Sequence, residues 1–318
     1  MMAVAPGAAD LPPRASNTGA TPDFGPLDGD AIGPRISNHC KTPMFDSTGP
    51  VKTATISPSL LPDWLLGRGV HFVTTVEIAE LVGVAESSVP VSLHRARAAN
   101  KIVSVTKGAW VPVPPAYRSA AAPPPIHYID ALMRHLGHGY YVGFLSSARI
   151  HGASHQVPMV LQVVTPALLR DRRVGDSRIQ FIRRSAAAER AVKQHDVDTG
   201  RVTVATPETT VLDIVEAPGH AAGLGNVGNV IGELVLDGSL DGDRLADAAV
   251  DYPTTVVQRA GWLLAHMAIE VGTHLELGQL QELIADAEYT PLDPRSPVEG
   301  RRDATWHVIV NTDVEHDL

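Results

Sequence analysis

Polar and basic side chains recur along one short stretch of the chain in a pattern that suits contact with nucleic acid. They are Ser87, Ser88, Ser92, His94, Arg95, Arg97, Lys101 and Lys107. Serine and arginine side chains hydrogen-bond to base edges, and cationic side chains pair with phosphates. Because helical residues three or four apart share a face, we predict that Ser88, Ser92 and Arg95 read bases together. We predict that Arg97, Lys101 and Lys107 hold phosphate.

The surrounding elements follow the order of a winged helix-turn-helix. The sequence predicts a helix from Thr75 to Val82, with a threonine cap and a closing glycine at position 83. The paired serines at 87 and 88 then open a second helix that ends near Asn100, with Val89, Leu93 and Ala96 on its buried side. Two strands, Lys101–Thr106 and Ala109–Val113, meet at the Lys107-Gly108 turn. We predict that a short helix at Ser57–Leu66 packs under the second helix, with Leu60, Leu61, Trp64 and Leu65 on one side.

Such a module lays its second helix in the major groove of DNA. Lys107 then sits at the wing tip, where a phosphate or the minor groove is reached. The alternative interpretation is a winged module that contacts only protein, with a solvated helix face.

A second basic stretch lies between Leu168 and Arg190. Its candidate DNA-contacting residues are Arg170, Arg172, Arg173, Arg183 and Arg184. One interpretation is a second surface for the DNA backbone next to the winged module. The other is an ordinary sheet edge, where charge discourages the addition of further strands. Both interpretations stay open at the level of sequence.

The residues of an enzyme are harder to find. Two histidine pairs, His135 with His138 and His151 with His155, have the spacing of a shared metal, but no carboxylate completes a metalloprotease pattern. The glycines of Leu224–Gly228 resemble a dinucleotide loop without its strand and acidic partner, so we predict a turn. No phosphate loop, nucleophile elbow or carboxylate pair is present. We predict no catalytic residue, metal site, cofactor or enzymatic activity.

Composition is that of a soluble globular chain of two domains: 318 residues, 44% hydrophobic and 19% charged. A single cysteine excludes an internal disulfide and favours a reducing compartment. No apolar run approaches the roughly 20 residues of a membrane span, and no secretory signal is apparent. We therefore expect a cytoplasmic protein without membrane contact.

The net charge of −9 conceals an uneven distribution. Counting Lys and Arg against Asp and Glu, residues 59–118 carry +2, residues 119–205 carry +5, and residues 206–318 carry −15. Phosphate attraction depends on the local field, which is screened over about 8–10 Å. The acidic residues 206–318 therefore do not exclude DNA binding by the rest of the chain. They indicate that the C-terminal end of the protein faces away from the DNA.

We expect an α+β protein in which an N-terminal winged helix-turn-helix precedes a mixed α/β domain. Residues 1–56 are predicted as a disordered tail, or partly as the product of an upstream start codon. Residues 57–115 form the winged module, 116–125 a proline-containing linker, and 126–318 the second domain. Strands are predicted at Met159–Pro166, 178–184, 201–205 and 304–311, and helices at 126–136, Ser146–Ile150, from Thr206, and in most of 219–287.

Three motifs of the second domain resemble those of the AbiEi antitoxins of type IV toxin–antitoxin systems. The first runs Tyr140, Tyr141, Leu145, Ser146, Ser147, His151 and Gly152; the second is Pro207, Glu208, Thr210 and Asp213; the third is Arg259, Gly261, Leu263 and Leu264. Together with the winged module, the resemblance extends from about residue 57 to 313. The long N-terminal tail and the acidic rear depart from the family pattern.

The resemblance implies a bacterial, cytosolic repressor of its own operon. Such a protein binds repeats in its promoter through the winged module, and the second domain supports binding and cooperativity. It also counteracts a nucleotidyltransferase-like toxin, usually without a stable complex between the two proteins. The implied partners are thus double-stranded promoter DNA and a cognate toxin.

Two other functions fit the same residues. One is a ligand-sensing winged-helix repressor without a toxin partner, whose second domain binds a small molecule. In the other, the second domain is an enzyme such as a nuclease. The sequence argues against this function, because it shows no clustered acidic metal site.

Overall fold

The computed structural model describes residues 55–153 and 160–314, which belong to one compact unit of mixed α and β structure. The helices are α1 (Leu61–Leu66), α2 (Thr75–Val82), α3 (Val89–Ser92), α4 (His94–Ala98), α5 (Ile129–Leu136), α6 (Phe144–Ile150), α7 (Pro207–Glu216), α8 (Leu224–Leu236), α9 (Gly242–Ala249), α10 (Thr254–Glu270) and α11 (Gly278–Glu282). The strands are β1 (Val73–Thr74), β2 (Ile102–Thr106), β3 (Ala109–Pro112), β4 (Tyr141–Val142), β5 (Val160–Thr165), β6 (Arg172–Val174), β7 (Ser177–Arg183), β8 (Val192–Val197), β9 (Gly200–Ala205), β10 (Thr290–Pro291), β11 (Arg301–Asp303) and β12 (Val308–Val310).

Almost all of the predicted tail, residues 1–54, lies outside the described residues, as does His155. Among the residues that are described, no helix is long and apolar enough to cross a bilayer.

Helices α1 to α4 and strands β1 to β3 form the N-terminal module. Its small antiparallel sheet has the order β1-β3-β2. Helix α2 occupies the predicted bounds because its ends carry strong local signals: Thr74 and Glu77 form a reciprocal capping box, and Gly83 ends the helix in the left-handed region at φ 75°. The predicted hairpin is confirmed as well, with Lys107-Gly108 as its turn and Gly108 at φ 80°.

A six-stranded mixed sheet, ordered β6-β7-β5-β4-β9-β8, forms the centre of the C-terminal part. Side chains alternate between its two faces, so Val163 and Val164 of the same strand enter different cores. One face packs against α5 and against the β2–β3 hairpin, through Val105, Ala109 and Val111. The other face packs against α6, α7, α8 and α10 in the largest core of the described residues. The β2–β3 hairpin and the sheet therefore share an apolar core, whereas helices α1 to α4 pack around a separate one.

Several sequence predictions of local structure need correction. Leu224–Gly228 is the start of α8 and not a turn; Gly228 suits this helix because a Cβ there would lie 2.7 Å from Val314 Cγ1. Ser146 and Ser147 lie inside α6, which begins two residues earlier, and both are buried. The predicted last strand is reduced to β12, since residues 304–307 form a turn. Leu60 is 62% exposed and does not join the buried side of α1.

Two 3-10 turns, Pro115–Tyr117 and Pro125–His127, overlap the two ends of the linker predicted at 116–125. Between them, the carbonyl oxygen of Ala120 accepts a hydrogen bond of 3.1 Å from the amide of Asp176 at the β6–β7 turn. This segment is thus held against the sheet. The domain boundaries at 57–115 and 126–318 stay a prediction.

Candidate nucleic-acid interface

The predicted reading helix is a bent segment, residues 86–98, which we call the reading segment. It comprises a 3-10 turn at Glu86–Ser88 followed by α3 and α4, with a break at Leu93. Backbone hydrogen bonds continue across the break, from Leu93 N to Val89 O at 3.0 Å and from Arg97 N to Leu93 O at 2.9 Å. The Ser92 hydroxyl also donates to Ser88 O at 2.9 Å, a side-chain interaction of the kind that bends helices.

The inner side of the reading segment packs into the core of the N-terminal module. Val89, Leu93 and Ala96 are at most 4% exposed and pack with Leu61 and Ile78 of helices α1 and α2. These three residues are those predicted for the buried side. Their burial fixes which side chains of the segment face solvent.

The predicted base readers differ in their exposure. Ser87, Ser88, His94 and Arg95 are exposed, whereas Ser92 is half-buried and its hydroxyl is already bonded to Ser88 O. The hydroxyl of Ser92 is therefore less free to meet a base than its position on the helix suggests. Arg95 stands on the outer side of the segment without an ion pair among the described residues.

Lys101 is held by a carboxylate. Its Nζ lies 2.8 Å from Asp63 Oδ2, and Arg118 Nη2 lies 2.7 Å from Asp63 Oδ1. The hydrogen bond from Lys101, with the charges of both cations, holds the pKa of Asp63 below its usual value despite partial burial. Asp63 thus ties the end of the reading segment to the residues that follow the hairpin, and Lys101 is only partly available for a phosphate.

The other two residues predicted to bind phosphate lie on the outside of the module. Arg97 is exposed, and its guanidinium carbon lies 5.6 Å from the ring centre of Trp110. Lys107 is exposed at the hairpin tip. The turn beside it is anchored by a hydrogen bond of 2.9 Å from Thr75 N to Gly108 O.

The arginines of the second basic stretch do not lie on one surface. Arg170, Arg173 and Arg183 are exposed, whereas Arg172 and Arg184 are half-buried. Arg173 pairs in register with Arg178, and Arg172 with Ile179, so strand alternation directs Arg172 and Arg173 to opposite faces of the sheet.

The two half-buried arginines have partners within the fold. Arg172 Nη1 donates to Val105 O at 3.4 Å, and burial lowers the pKa of Arg172. Arg184 Nη1 lies 2.6 Å from Glu216 Oε2, where both side chains are less than 20% exposed. These two residues hold elements together, whereas Arg170, Arg173 and Arg183 are the exposed members of the set, and Arg183 Nε donates to Pro166 O at 3.4 Å.

Residues of the first and second sequence motifs of the C-terminal part, Tyr141 and Asp213, meet in a buried polar network. Tyr141 and Tyr252 each donate a hydroxyl hydrogen bond of 2.9 Å to Asp213, which is fully buried. Burial raises the pKa of Asp213 to about 6, against the lowering effect of these hydrogen bonds and of two nearby arginines. The same burial and the Asp213 charge raise the pKa of both tyrosines.

Arg190 and Arg184 supply the positive charge near Asp213. The guanidinium carbon of Arg190 lies 3.4 Å from the ring centre of Tyr252, and Arg190 also donates to the carbonyl of Asp251. Glu216, at the end of α7, lies 2.6 Å from Arg184 and 3.9 Å from Arg190. Because each charge has an opposite partner, the network tolerates burial.

The paired serines of the first motif are part of a second set of buried hydrogen bonds. Ser147 Oγ donates to Phe144 O and lies 2.9 Å from Thr210 Oγ1 of the second motif. Ser146 Oγ accepts from Gln162 N at 2.9 Å, which fixes α6 on strand β5. The motif residues therefore join α6, α7 and the sheet, and we assign them a structural role.

Two backbone features show that little space is available at the start of α6. A Cβ at Gly143 would lie 2.9 Å from both Tyr141 and Val164 side chains, so only glycine fits there. The next residue, Phe144, has φ 54°, a strained conformation for a bulky residue. Its full burial among the side chains of the largest core stabilises this conformation.

The third motif acts through close packing. Arg259 Nε donates to Pro291 O at 2.9 Å and its Nη2 to Thr290 Oγ1 at 3.0 Å, which ties α10 to strand β10. Gly261 lets the ring of Trp306 lie directly on the helix, since a Cβ would come within 2.0 Å of Trp306 Cζ3.

Of the two histidine pairs considered from the sequence, the structure describes His135, His138 and His151, whereas His155 lies outside the described residues. His151 Nε2 lies 2.8 Å from Ala205 O, and burial lowers its pKa. Over residues 55–153 and 160–314, no three His, Cys, Asp or Glu side chains are grouped to hold a metal ion.

Sequence reasoning missed the roles of Arg190 and Tyr252 in the network around Asp213, and of Gln162 in the second set of hydrogen bonds. Gln162 stands out in the sequence as the one polar residue among Val160, Leu161, Val163 and Val164 of β5. Arg190 and Tyr252 lie in turn regions and give no comparable signal, because their partners are tens of residues away along the chain.

Comparisons with known proteins bear on the C-terminal part. Residues 141–266 match the family model described as the AbiEi antitoxin C-terminal domain. A search of curated proteins found no significant match. Among solved structures, the chain is similar to the crystal structure of the RV2827C protein from Mycobacterium tuberculosis, with a TM-score of 0.57 at 18% identity, over 79% of this chain and 90% of that one.

At this identity, the likeness to the mycobacterial protein shows a shared fold and no more. The family match is more informative, because its range contains most of the first motif and all of the other two. It supports the resemblance to the AbiEi antitoxins over residues 141–266, and with it an antitoxin role.

Proposed function

We propose that the chain is a DNA-binding antitoxin of the AbiEi type, which represses its own operon and counteracts a nucleotidyltransferase-like toxin in the cytoplasm. The observation that carries this proposal is the family match at residues 141–266. The buried hydrogen bonds around Asp213, Thr210 and Arg259 support it, because the motif residues of all three segments belong to one folded unit. The protein acts without a cofactor and without catalysis of its own.

The N-terminal module acts in this proposal as a winged helix-turn-helix. Three features support that role: the capped helix α2, the reading segment with its outer side exposed, and the hairpin that follows it. Arg95 reads a base, and Arg97 and Lys107 bind phosphates. Lys101 contributes less to phosphate binding, since Asp63 neutralises it.

In the same proposal, Arg170 and Arg183 make a second contact with the DNA backbone. Both are exposed, and the strand position of Arg183 puts it on the sheet face that packs against the N-terminal module. In this proposal, the acidic residues 206–318 do not contact DNA.

The proposal is tested first by binding of the full chain to the DNA upstream of its own gene. We expect fluorescence anisotropy to show binding that weakens steeply with salt, and a promoter-reporter to be repressed by co-expression. A scrambled duplex of the same length is the control. Equal affinity for the promoter and the scrambled duplex, at low salt and at about 0.15 M salt, would remove the repressor function.

The antitoxin function needs a separate test. Co-expression with the product of a co-transcribed, nucleotidyltransferase-like neighbouring gene should restore growth that the neighbour alone arrests. The Gly261→Ala variant, which disturbs the C-terminal core, should fail to rescue. Continued growth arrest in the presence of the wild-type chain would contradict this part of the proposal.

The second candidate function is a ligand-sensing repressor, whose ligand would need a pocket in the fold. A cleft of about 130 Å³ lies between the N-terminal module and the sheet, lined among others by His71, Tyr117, His127, Tyr128 and Asp198. Ligand pockets are usually of roughly 300–1,000 Å³, so this cleft is small for a metabolite. Release of promoter DNA by a metabolite, with no toxic neighbouring gene, would favour this candidate over the antitoxin.

A further inference from the structure

The outer side of the reading segment has an apolar centre. Val91 is 78% exposed, more than any other large hydrophobic residue of the N-terminal module in the described chain. It follows the exposed Pro90 and lies one helical turn before Arg95. This position contrasts with that of Ser92, whose hydroxyl bonds back to Ser88 O and whose side chain is half-buried.

The burial pattern defines the outward row of side chains. With Val89, Leu93 and Ala96 directed into the core, the residues on the opposite side are Val91, His94, Arg95 and Ala98, all exposed. Their spacing of three, four and seven positions is that of one helical face. The backbone hydrogen bonds across Leu93 keep this spacing through the bend.

We propose that Val91 is a specificity-determining residue that contacts the 5-methyl group of a thymine, one or two base steps from the base that Arg95 reads. This inference rests on the proposed function, DNA binding by the N-terminal module. Thymine is the base that offers an apolar group in the major groove, and arginine pairs preferentially with guanine. A row of Val91, Arg95 and Ala98 therefore fits a half-site that holds a thymine close to a guanine, with Ala98 allowing close approach.

Contact between Val91 and a thymine methyl group can be distinguished by experiment from base reading by serine hydroxyls. A serine hydroxyl accepts or donates hydrogen bonds with several bases, and its interaction does not depend on a methyl group. A valine packed on thymine depends on that methyl group, and the interaction is lost in deoxyuridine, whose base-pairing edge is unchanged.

The experiment begins with selection of randomised duplexes by the full-length wild-type chain. In the selected site, each thymine is then replaced singly by deoxyuridine, and affinity is measured for the wild type, for Val91→Ala and for Val250→Ala. Val250 is the matched control, because it is 70% exposed and lies in the C-terminal part. Thermal melting of each variant verifies that the fold is kept.

We expect one deoxyuridine position to lower wild-type and Val250→Ala affinity about fourfold, the value for loss of one buried methyl group. The Val91→Ala variant should be about fourfold weaker on the thymine site and insensitive to the replacement. If wild type and Val91→Ala respond alike to every replacement, the assignment of Val91 is overturned while DNA binding stands. If the wild type enriches no duplex, both the inference and the proposed DNA binding fail.

Discussion

Asp213 and Tyr141, which stand 72 positions apart in the sequence, are joined by a buried hydrogen bond of 2.9 Å. The bond connects α7 to strand β4 at the centre of the sheet, so two sequence motifs become one structural unit. A buried carboxylate of this kind is stable only while its hydrogen-bonding partners and nearby cations are present.

The first prediction concerns the pH dependence of stability. Because the folded-state pKa of Asp213, about 6, exceeds its usual 3.8, the folded state binds this proton more tightly than the unfolded state. The resulting stability is complete below about pH 4 and is lost as pH rises through about 6, by about 3 kcal/mol at most. In Asp213→Asn, this loss should disappear. Urea unfolding at about pH 4 and about pH 7 measures it, and identical pH slopes in both proteins would contradict the assignment.

The tyrosine partners of Asp213 give the second prediction. Tyr141→Phe or Tyr252→Phe leaves the buried carboxylate with one hydroxyl donor fewer, and each should lower the free energy of unfolding by about 1–3 kcal/mol near neutral pH. Tyr289→Phe is the control, since that side chain is 39% exposed, and its effect should stay within about 0.5 kcal/mol. Denaturant midpoints of the three variants test this order, and equal effects would show that the bonds to Asp213 contribute little.

The third prediction compares two helical glycines. An alanine at Gly261 would place its Cβ 2.0 Å from Trp306, and the displaced ring should cost about 1–3 kcal/mol of stability. At Gly225 no heavy atom lies within 4 Å of the added Cβ, so alanine should stabilise α8 by about 0.5–1 kcal/mol. Thermal melting of both variants measures these two changes in stability. A stable Gly261→Ala protein would mean that the ring of Trp306 can shift freely.

The fourth prediction concerns Asp63, which holds Lys101 and Arg118. The Asp63→Asn variant should bind promoter DNA more tightly, because two cations near the reading segment lose their neutralising carboxylate. The slope of log affinity against log salt should steepen by about one for each additional phosphate that the variant neutralises. Asp196→Asn, which frees Arg201 on β9, is the control and should leave the slope unchanged. Anisotropy titrations over several salt concentrations measure both variants, and a weaker Asp63→Asn complex would contradict the expectation.

The fifth prediction separates base reading from phosphate binding. Arg95→Ala should lower affinity for the promoter by about 1–3 kcal/mol and relax the preference at one base pair. Lys107→Ala should weaken binding to all sequences alike and flatten the salt slope by about one. Competition with a set of single-base variants of the promoter distinguishes the two patterns. Unchanged binding by Arg95→Ala would remove its assignment as a base reader.

Local signals make the N-terminal module the most predictable region of the sequence. The capping box of Thr74 and Glu77 and the glycine at position 83 set the bounds of α2 without help from distant residues. The turn at Lys107-Gly108 likewise fixes the hairpin, because Gly108 adopts its positive φ without strain. The inward positions of the reading segment also follow from helical periodicity alone.

Features set by distant residues are not predictable in this way. The start of α8 at Leu224 resembles a turn because glycine disfavours isolated helices, whereas packing against Val314 favours glycine at position 228. Likewise, Ser146 has the local sequence of a cap, but its hydroxyl bonds to Gln162 on a neighbouring strand. The pairing of Lys101 with Asp63 joins residues 38 positions apart, and no short-range pattern indicates it.

The apolar side of the β2–β3 hairpin, with Val105, Ala109 and Val111, is covered by α5 and the large sheet. A fragment that ends at residue 115 would therefore leave these side chains bare to water, and such a surface promotes self-association. The C-terminal part therefore contributes directly to the stability of the N-terminal module, because it keeps these three side chains out of water.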